Sequence, residues 1–349
     1  MTTWLVTGGA GFIGSNFVRM AADGDVETIV VLDALTYAGN LANIADLVDA
    51  HRVQFRKGDI CDSRLLDKLF DTYRFDCIVH FAAESHVDRS ILGPQPFLRT
   101  NIDGTYVLIE AARKAWQGLT HCRFIHVSTD EVFGDLAPDD PPFTKDSPYR
   151  PSSPYAASKA SADHLVRAWQ RTYGFPAIIT NCGNNYGPWQ FPEKLIPLMI
   201  LNAVEGRELP VYGDGLQVRD WLHVSDHCRA IRSIIDRGQV GQTYLVGGEN
   251  PMTNLEVVRY ICGAVDAELG RSPGTAEKLI RHVTDRPGHD RRYSVDPSFL
   301  RKSLGWRARE DLEAALPVLV RWYLEHKEWT DAVRTGAYRQ YYERQYAHR

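Results

Sequence analysis

Short apolar runs alternate with stretches of helical spacing through the first two-thirds of the chain. Residues 4–7, 28–32, 53–57, 77–81 and 123–128 read as strands. Between the third and fourth, Leu65, Leu66, Leu69, Phe70 and Tyr73 recur at the spacing of one helical face, which predicts a core helix over 63–73. Pro-rich loops at 136–142 and 147–154 stop the pattern just before an amphipathic helix predicted over 155–173. Beyond Asn185 the pattern is less regular, with turns at Tyr212-Gly213-Asp214-Gly215 and Val246-Gly247-Gly248. Segments 177–180 and 242–246 still read as strands of the main sheet. This rhythm predicts an α/β fold, a Rossmann-type doubly wound parallel sheet with a smaller C-terminal substrate-binding lobe. Residues 1–185 are assigned to the dinucleotide domain, with a returning segment near 220–247, and 186–349 mainly to the interleaved lobe.

Composition narrows the function classes. A length of 349 residues with 44% hydrophobic content can fill two such cores. The net charge of −4 arises from 40 basic and 44 acidic residues without a long like-charge block, so no nucleic-acid surface is expected. No apolar run approaches about 18 residues and no signal-peptide pattern opens the chain, so no membrane attachment and a cytoplasmic location are expected. Six cysteines are widely spaced without a CxxC pair and read as buried or neutral thiols. His223, His227 and Cys228 lack two further ligands nearby, and no metal site is expected.

Candidate chemistry begins after the first strand, at Thr7-Gly8-Gly9-Ala10-Gly11-Phe12-Ile13-Gly14. Glycines 8, 11 and 14 let backbone turn tightly against a pyrophosphate, and the following helix N-terminus favours its charge. Asp33 ends the second strand about twenty residues later, where a carboxylate can bond the adenosine ribose hydroxyls and repel a 2′-phosphate. That favours NAD⁺ over NADP⁺. Asp59 and Ile60 follow the third strand, and a role for them at the adenine edge rests on family resemblance alone.

Tyr155 and Lys159 stand four residues apart, on one helical face. A phenol titrates near pH 10, and a neighbouring ammonium favours its phenolate. Thr129, Asp130 and Glu131 follow the fifth strand, at the sheet end where open α/β folds place their chemistry. Thr129 can bond a substrate hydroxyl, and the two carboxylates can serve as separate acid and base if their environments split their pKa values.

Together these residues resemble the extended short-chain dehydrogenase/reductase family, and within it the nucleotide-sugar 4,6-dehydratases. More selective blocks carry the likeness: 82–90, 128–134, Asn184-Asn185-Tyr186-Gly187-Pro188, 191–197, Arg219-Asp220-Trp221 and 285–293. The resemblance implies that Gly8, Gly11, Phe12, Ile13, Gly14, Asp33, Ala34, Leu35, Thr36, Asp59, Ile60, Ala82, Ala83, Ser85, Thr100, Tyr155, Lys159 and Asn185 hold NAD⁺. It implies that Ser85, Thr129, Asn184, Lys194, Leu195, Pro210, Tyr212, Arg219, Asn254, Asp285, Arg286, His289 and Tyr293 hold a sugar nucleotide, dTDP-glucose before UDP-glucose. It further implies that Tyr155 deprotonates the C4 hydroxyl, Glu131 takes the C5 proton and Asp130 protonates the departing C6 hydroxyl. A homodimer through helices near 100–116 and 155–173 is also implied. Rival readings are a 4-epimerase or decarboxylase, which need no added acid and base, and a non-catalytic dinucleotide sensor. Gly183 and Trp189 depart slightly from the familiar pattern and bear only on fine specificity.

Overall fold

The computed structural model describes residues 2–334. Its strands are β1 (Thr3–Thr7), β2 (Thr28–Asp33), β3 (Gln54–Lys57), β4 (Cys77–His80), β5 (Arg123–Thr129), β6 (Ala177–Cys182), β7 (Asn184–Tyr186), β8 (Leu209–Tyr212), β9 (Val218–His223), β10 (Thr243–Val246), β11 (Pro251–Thr253) and β12 (Ile280–Val283). Seven of them form one sheet in the order β10-β6-β5-β4-β1-β2-β3, every neighbouring pair parallel. Strands covered on both faces need continuous apolar sequence, and β4 is buried at all four positions.

Helices supply the two covers. Phe12–Ala22 and Val224–Arg237 close one face over Val18, Val31, Ile231 and Tyr244. Ser63–Thr72, Thr105–Ala115 and Pro154–Tyr173 close the other over Leu5, Leu66, Leu108, Phe124 and Val166. The helix expected from residue 155 begins one residue earlier: Ser153 accepts the Ala156 N–H at 3.1 Å and Pro154 takes the first helical position. The helix expected to 73 ends at Thr72. Strand order reverses between β1 and β4, which opens a crevice at their C-terminal ends.

A smaller lobe follows β7. It holds the sheets β11-β9-β7 and β12-β8, with helices Leu195–Glu205, Asn254–Glu268 and Leu312–Glu325 around Ile200, Val211, Trp221, Val258 and Leu316. Between β9 and β11 the chain goes back to the first lobe, where Val224–Arg237 covers the sheet and β10 pairs with β6. Of the segments assigned from the sequence, Met1 and 335–349 lie outside the described residues. No helix among the described residues is long and apolar enough to cross a membrane.

Candidate active site

The crevice is built first from backbone. At Gly8 φ is +71°, and a Cβ there would lie 2.5 Å from the Ala82 nitrogen; at Gly14 it would lie 2.2 Å from the Gly8 carbonyl oxygen. Only glycine keeps β1, the loop and β4 this close. Asp33 ties the loop to β2, its carboxylate accepting the Ala10 N–H at 2.9 Å and the Leu35 N–H at 2.8 Å. Leu35 holds a φ of +52°. Burial raises the Asp33 carboxyl pKa, and these two N–H groups oppose the shift.

One cleft collects most of the expected side chains. Gly11, Phe12, Ile13, Ala34, Thr36, Asp59, Ile60, Ala82, Ala83, Ser85 and Thr100 line it beside Gly8, Gly14 and Asp33; Thr129, Asp130, Glu131, Tyr155, Lys159, Asn184, Asn185 and Lys194 line its other end. A bare-backbone cradle at a helix start, with a carboxylate at the end of β2, fits NAD⁺: pyrophosphate over the glycines, adenosine ribose toward Asp33.

β5 delivers Thr129 and then turns through Asp130–Phe133. Thr129 Oγ1 accepts the Glu131 N–H and donates to Asp130 Oδ1, both at 3.3 Å. Tyr155 and Lys159 are buried on the facing helix, and Lys159 Nζ donates to the Val127 carbonyl at 2.9 Å. Burial pushes the Tyr155 phenol well above its ordinary value, with the Glu131 charge adding to this. Burial lowers Lys159, and Asp163, one turn along the same face, opposes that loss. Asp163 is itself held by Tyr149 Oη at 2.7 Å and Asn181 Nδ2 at 3.1 Å, with His126 Nε2 3.1 Å away. A buried anion thus stands behind the lysine.

Asp130 and Glu131 are chemically unequal neighbours. Burial, then the charge of Glu131, pushes Asp130 well above the carboxylate range, and its Oδ2 is buried without a hydrogen-bond partner. Burial raises Glu131 too, but the cations Arg286, Lys194 and Arg219 pull it back. Both carboxyls are raised by burial, and the cations around Glu131 leave Asp130 the further raised of the two.

The smaller lobe sets those cations. Arg219, on β9, donates to the Val218 and Asp290 carbonyls at 2.8 and 2.9 Å and lies 4.3 Å from the Tyr293 ring centre. Tyr293 Oη donates to Asp290 at 2.5 Å. Arg286 is 3.5 Å from Asp88, which also accepts from Tyr212 Oη at 3.2 Å, so the two lobes meet there. Asp285 pairs with His289 at 2.7 Å, and Lys194 Nζ donates to the Ser85 carbonyl at 3.0 Å. Leu195 and Asn254 begin helices, and Pro210 is buried within β8.

Leu35 and the residues Leu195, Pro210, Tyr212, Arg219, Asn254, Asp285, Arg286, His289 and Tyr293 are not among the residues that line the cleft. Conversely, Tyr37, Glu84, Cys182, Gln190, Phe191 and Glu193 line it without having been singled out. Glu84, Phe191 and Glu193 sit inside the selective sequence blocks and were findable there; Tyr37 and Cys182 carry no local signal. Five cysteines are buried and Cys61 is half-buried, none in a disulfide, and burial raises Cys182 to about 12. Among the described residues no His, Cys, Asp and Glu cluster could hold a metal ion.

An open parallel sheet with a glycine cradle, a Tyr155/Lys159 pair and an acidic pair at the end of β5 defines an extended short-chain dehydrogenase/reductase. The chain belongs to the dTDP-glucose 4,6-dehydratases, within the family described as GDP-mannose 4,6 dehydratase, whose family model matches residues 5–317. It is 51% identical to the dTDP-glucose 4,6-dehydratase of Salmonella typhimurium over 98% of each chain. With that of Neisseria meningitidis identity is 54%, over 96% of this chain and 97% of the relative. The solved dTDP-glucose 4,6-dehydratase of Streptomyces venezuelae with NAD bound is 45% identical, with a TM-score of 0.87 over 95% of this chain and all of that one. The UDP-glucose 4-epimerase of Thermotoga maritima shares the scaffold at 26% identity and a TM-score of 0.82, over 93% of this chain and 99% of that one.

Proposed function

We propose that the chain converts dTDP-glucose to dTDP-4-keto-6-deoxyglucose and water, as an NAD-dependent hydro-lyase. The observation that carries this reading is the inequality of Asp130 and Glu131, since epimerisation at C4 has no use for a paired acid and base. Bound NAD⁺ supplies the hydride acceptor for C4 and, once reduced, the hydride donor for C6.

Tyr155 takes the proton of the C4 hydroxyl, and the Lys159 ammonium stabilises the phenolate that does so. The resulting 4-ketone acidifies the C5 proton, which Glu131 removes while Asp130 gives its proton to the departing C6 hydroxyl. Water is lost across C5 and C6. Glu131 then returns a proton to C5, the proton that Tyr155 took passes to solvent and one from solvent replaces the one Asp130 gave, and the net change is loss of one water with the cofactor restored. Thr129 and Ser85 orient the hexose, and Lys194, Arg219 and Arg286 offset the diphosphate charge. Asn184, Leu195, Pro210, Tyr212, Asn254, Asp285, His289 and Tyr293 complete the sugar-nucleotide side.

In this reading residues 1–185 with the segment near 220–247 hold the cofactor, and 186–349 mainly hold the substrate. The helices Thr105–Ala115 and Pro154–Tyr173 carry exposed Tyr106 and Tyr173 and are the surface for a homodimer. The enzyme works in the cytoplasm.

The test is incubation with dTDP-glucose and, separately, UDP-glucose in deuterated water, followed by mass spectrometry and NMR. Loss of water with deuterium at C5 is expected, faster with dTDP-glucose. An unchanged mass with inverted C4 would assign the chain to the epimerases, and faster turnover of UDP-glucose would reassign the base.

A further inference from the structure

Two hydrogen-bond relays reach the dinucleotide cleft from behind, and both start in the last helices. In the first, Trp329 Nε1 donates to Asn43 Oδ1 at 2.8 Å, and Asn43 Nδ2 donates to the Ala10 carbonyl at 2.8 Å. Ala10 belongs to the glycine loop, and its own N–H is the one held by Asp33. In the second, Tyr323 Oη donates to the Gln190 carbonyl at 2.9 Å, and Gln190 Nε2 donates to the Asn185 carbonyl at 2.9 Å. Gln190 and Asn185 both line the cleft.

The links through Trp329, Asn43 and Tyr323 are buried, so a partner lost there leaves an amide or carbonyl with no water to turn to, whereas the Gln190–Asn185 bond is half-buried at the cleft wall. The segment joining the relays is also fixed by packing. Trp189, at a φ of +67°, meets the rings of Trp322 and Trp329 edge-on at 4.9 and 5.5 Å.

We infer that Trp329 and Tyr323 are positioning residues that retain the dinucleotide, bracing the glycine loop and the Asn185 strand through Asn43 and Gln190. Retention suits a reaction that restores its cofactor each cycle and never needs to release it. The inference rests on the proposed NAD-dependent dehydration. An enzyme that discharged its cofactor every turnover would gain nothing from such a brace.

The purified full-length protein carries the test, with two readouts: nucleotide released on denaturation, and the rate at which bound NAD⁺ exchanges into excess labelled NAD⁺. Trp329→Phe and Tyr323→Phe each remove one donor, and each is expected to speed exchange about tenfold, the usual worth of one buried hydrogen bond. Trp116→Phe is the control, because it removes an equally buried indole donor, to the Phe75 carbonyl at 2.7 Å, outside both relays; its exchange rate should match the wild type. Unchanged exchange in the two folded relay variants overturns the inference, as does equal acceleration by the control. Should Trp329→Phe fail to fold, Tyr323→Phe decides alone. A wild-type protein that binds no NAD⁺ at all would instead remove the cofactor reading on which the inference stands.

Discussion

Asp130 and Glu131 are adjacent in the chain and differ by one methylene, so intrinsic acidity cannot separate their roles; company does. Glu131 faces Arg286, Lys194 and Arg219, whereas Asp130 has burial and the charges of Glu131 and Asp220 against Arg219 alone among the cations. Glu131→Gln keeps the shape and hydrogen-bonding reach but loses the base. Turnover should fall by about two to four orders of magnitude, the range for removing a positioned proton-transfer group, while dTDP-glucose binding is kept. Steady-state kinetics with isothermal titration checks this, and undiminished turnover would end the assignment. The two carboxylates were legible at a strand end, and Tyr155 with Lys159 by helical spacing. Their inequality was not, because the cations that create it come from β9, the Lys194 turn and the 285–289 segment. Asp163 escaped notice for the same reason: its value lies in Tyr149, Asn181 and His126, which only the fold assembles around it.

At the scale of elements, the same substitution is expected to act with opposite sign at two glycines. Gly8→Ala places a methyl group 2.5 Å from backbone at a φ of +71°, where neither the strand nor Ala82 can give way. Gly263 lies within the helix Asn254–Glu268, and a Cβ there would meet nothing within 4 Å. Gly8→Ala should lower the melting temperature and abolish NAD⁺ binding, whereas Gly263→Ala should add about 1 kcal/mol of stability and leave turnover unchanged. Thermal melts of the two variants suffice, and a stabilised Gly8→Ala would contradict the cradle. Strands of the first lobe were readable because burial on both faces demands unbroken apolar runs, as in β2 and β4. The second lobe was harder: β7 and β11 have three residues each, too short for any periodicity to register.

For the molecule as a whole, the buried His227 is one contributor to the response to acid. His227 has no exposed surface, its Nδ1 is 2.9 Å from Asn185 Oδ1, and burial lowers its pKa from 6.5 to about 3. The unfolded chain therefore binds a proton that the folded chain refuses. Its contribution to stability is complete above about pH 6.5 and is lost as the pH falls toward 3, amounting to about 2 kcal/mol between pH 7.5 and pH 5. His227→Asn retains an N–H toward Asn185 and removes the titration, so its urea midpoint should fall less steeply over that interval than the wild type's. Parallel slopes would refute the assignment. Nothing in the sequence around 227 announces this, and the bond between Trp329 and Asn43 spans 286 residues, beyond any local pattern.

The return of β10 to the side of β6 has a consequence for synthesis and for recombination. When a ribosome has released the first 185 residues, six strands of the main sheet exist, but β6 is still a bare edge with open backbone groups. That edge closes only after residue 246 emerges, when β7, β8, β9 and the helix Leu195–Glu205 of the second lobe are already made. A chimaera exchanging substrate lobes between relatives therefore cannot be cut once at residue 185. It must carry Val224–Arg237 and β10 from the same parent as β6, and breakpoints that separate them should yield chains prone to edge-to-edge aggregation.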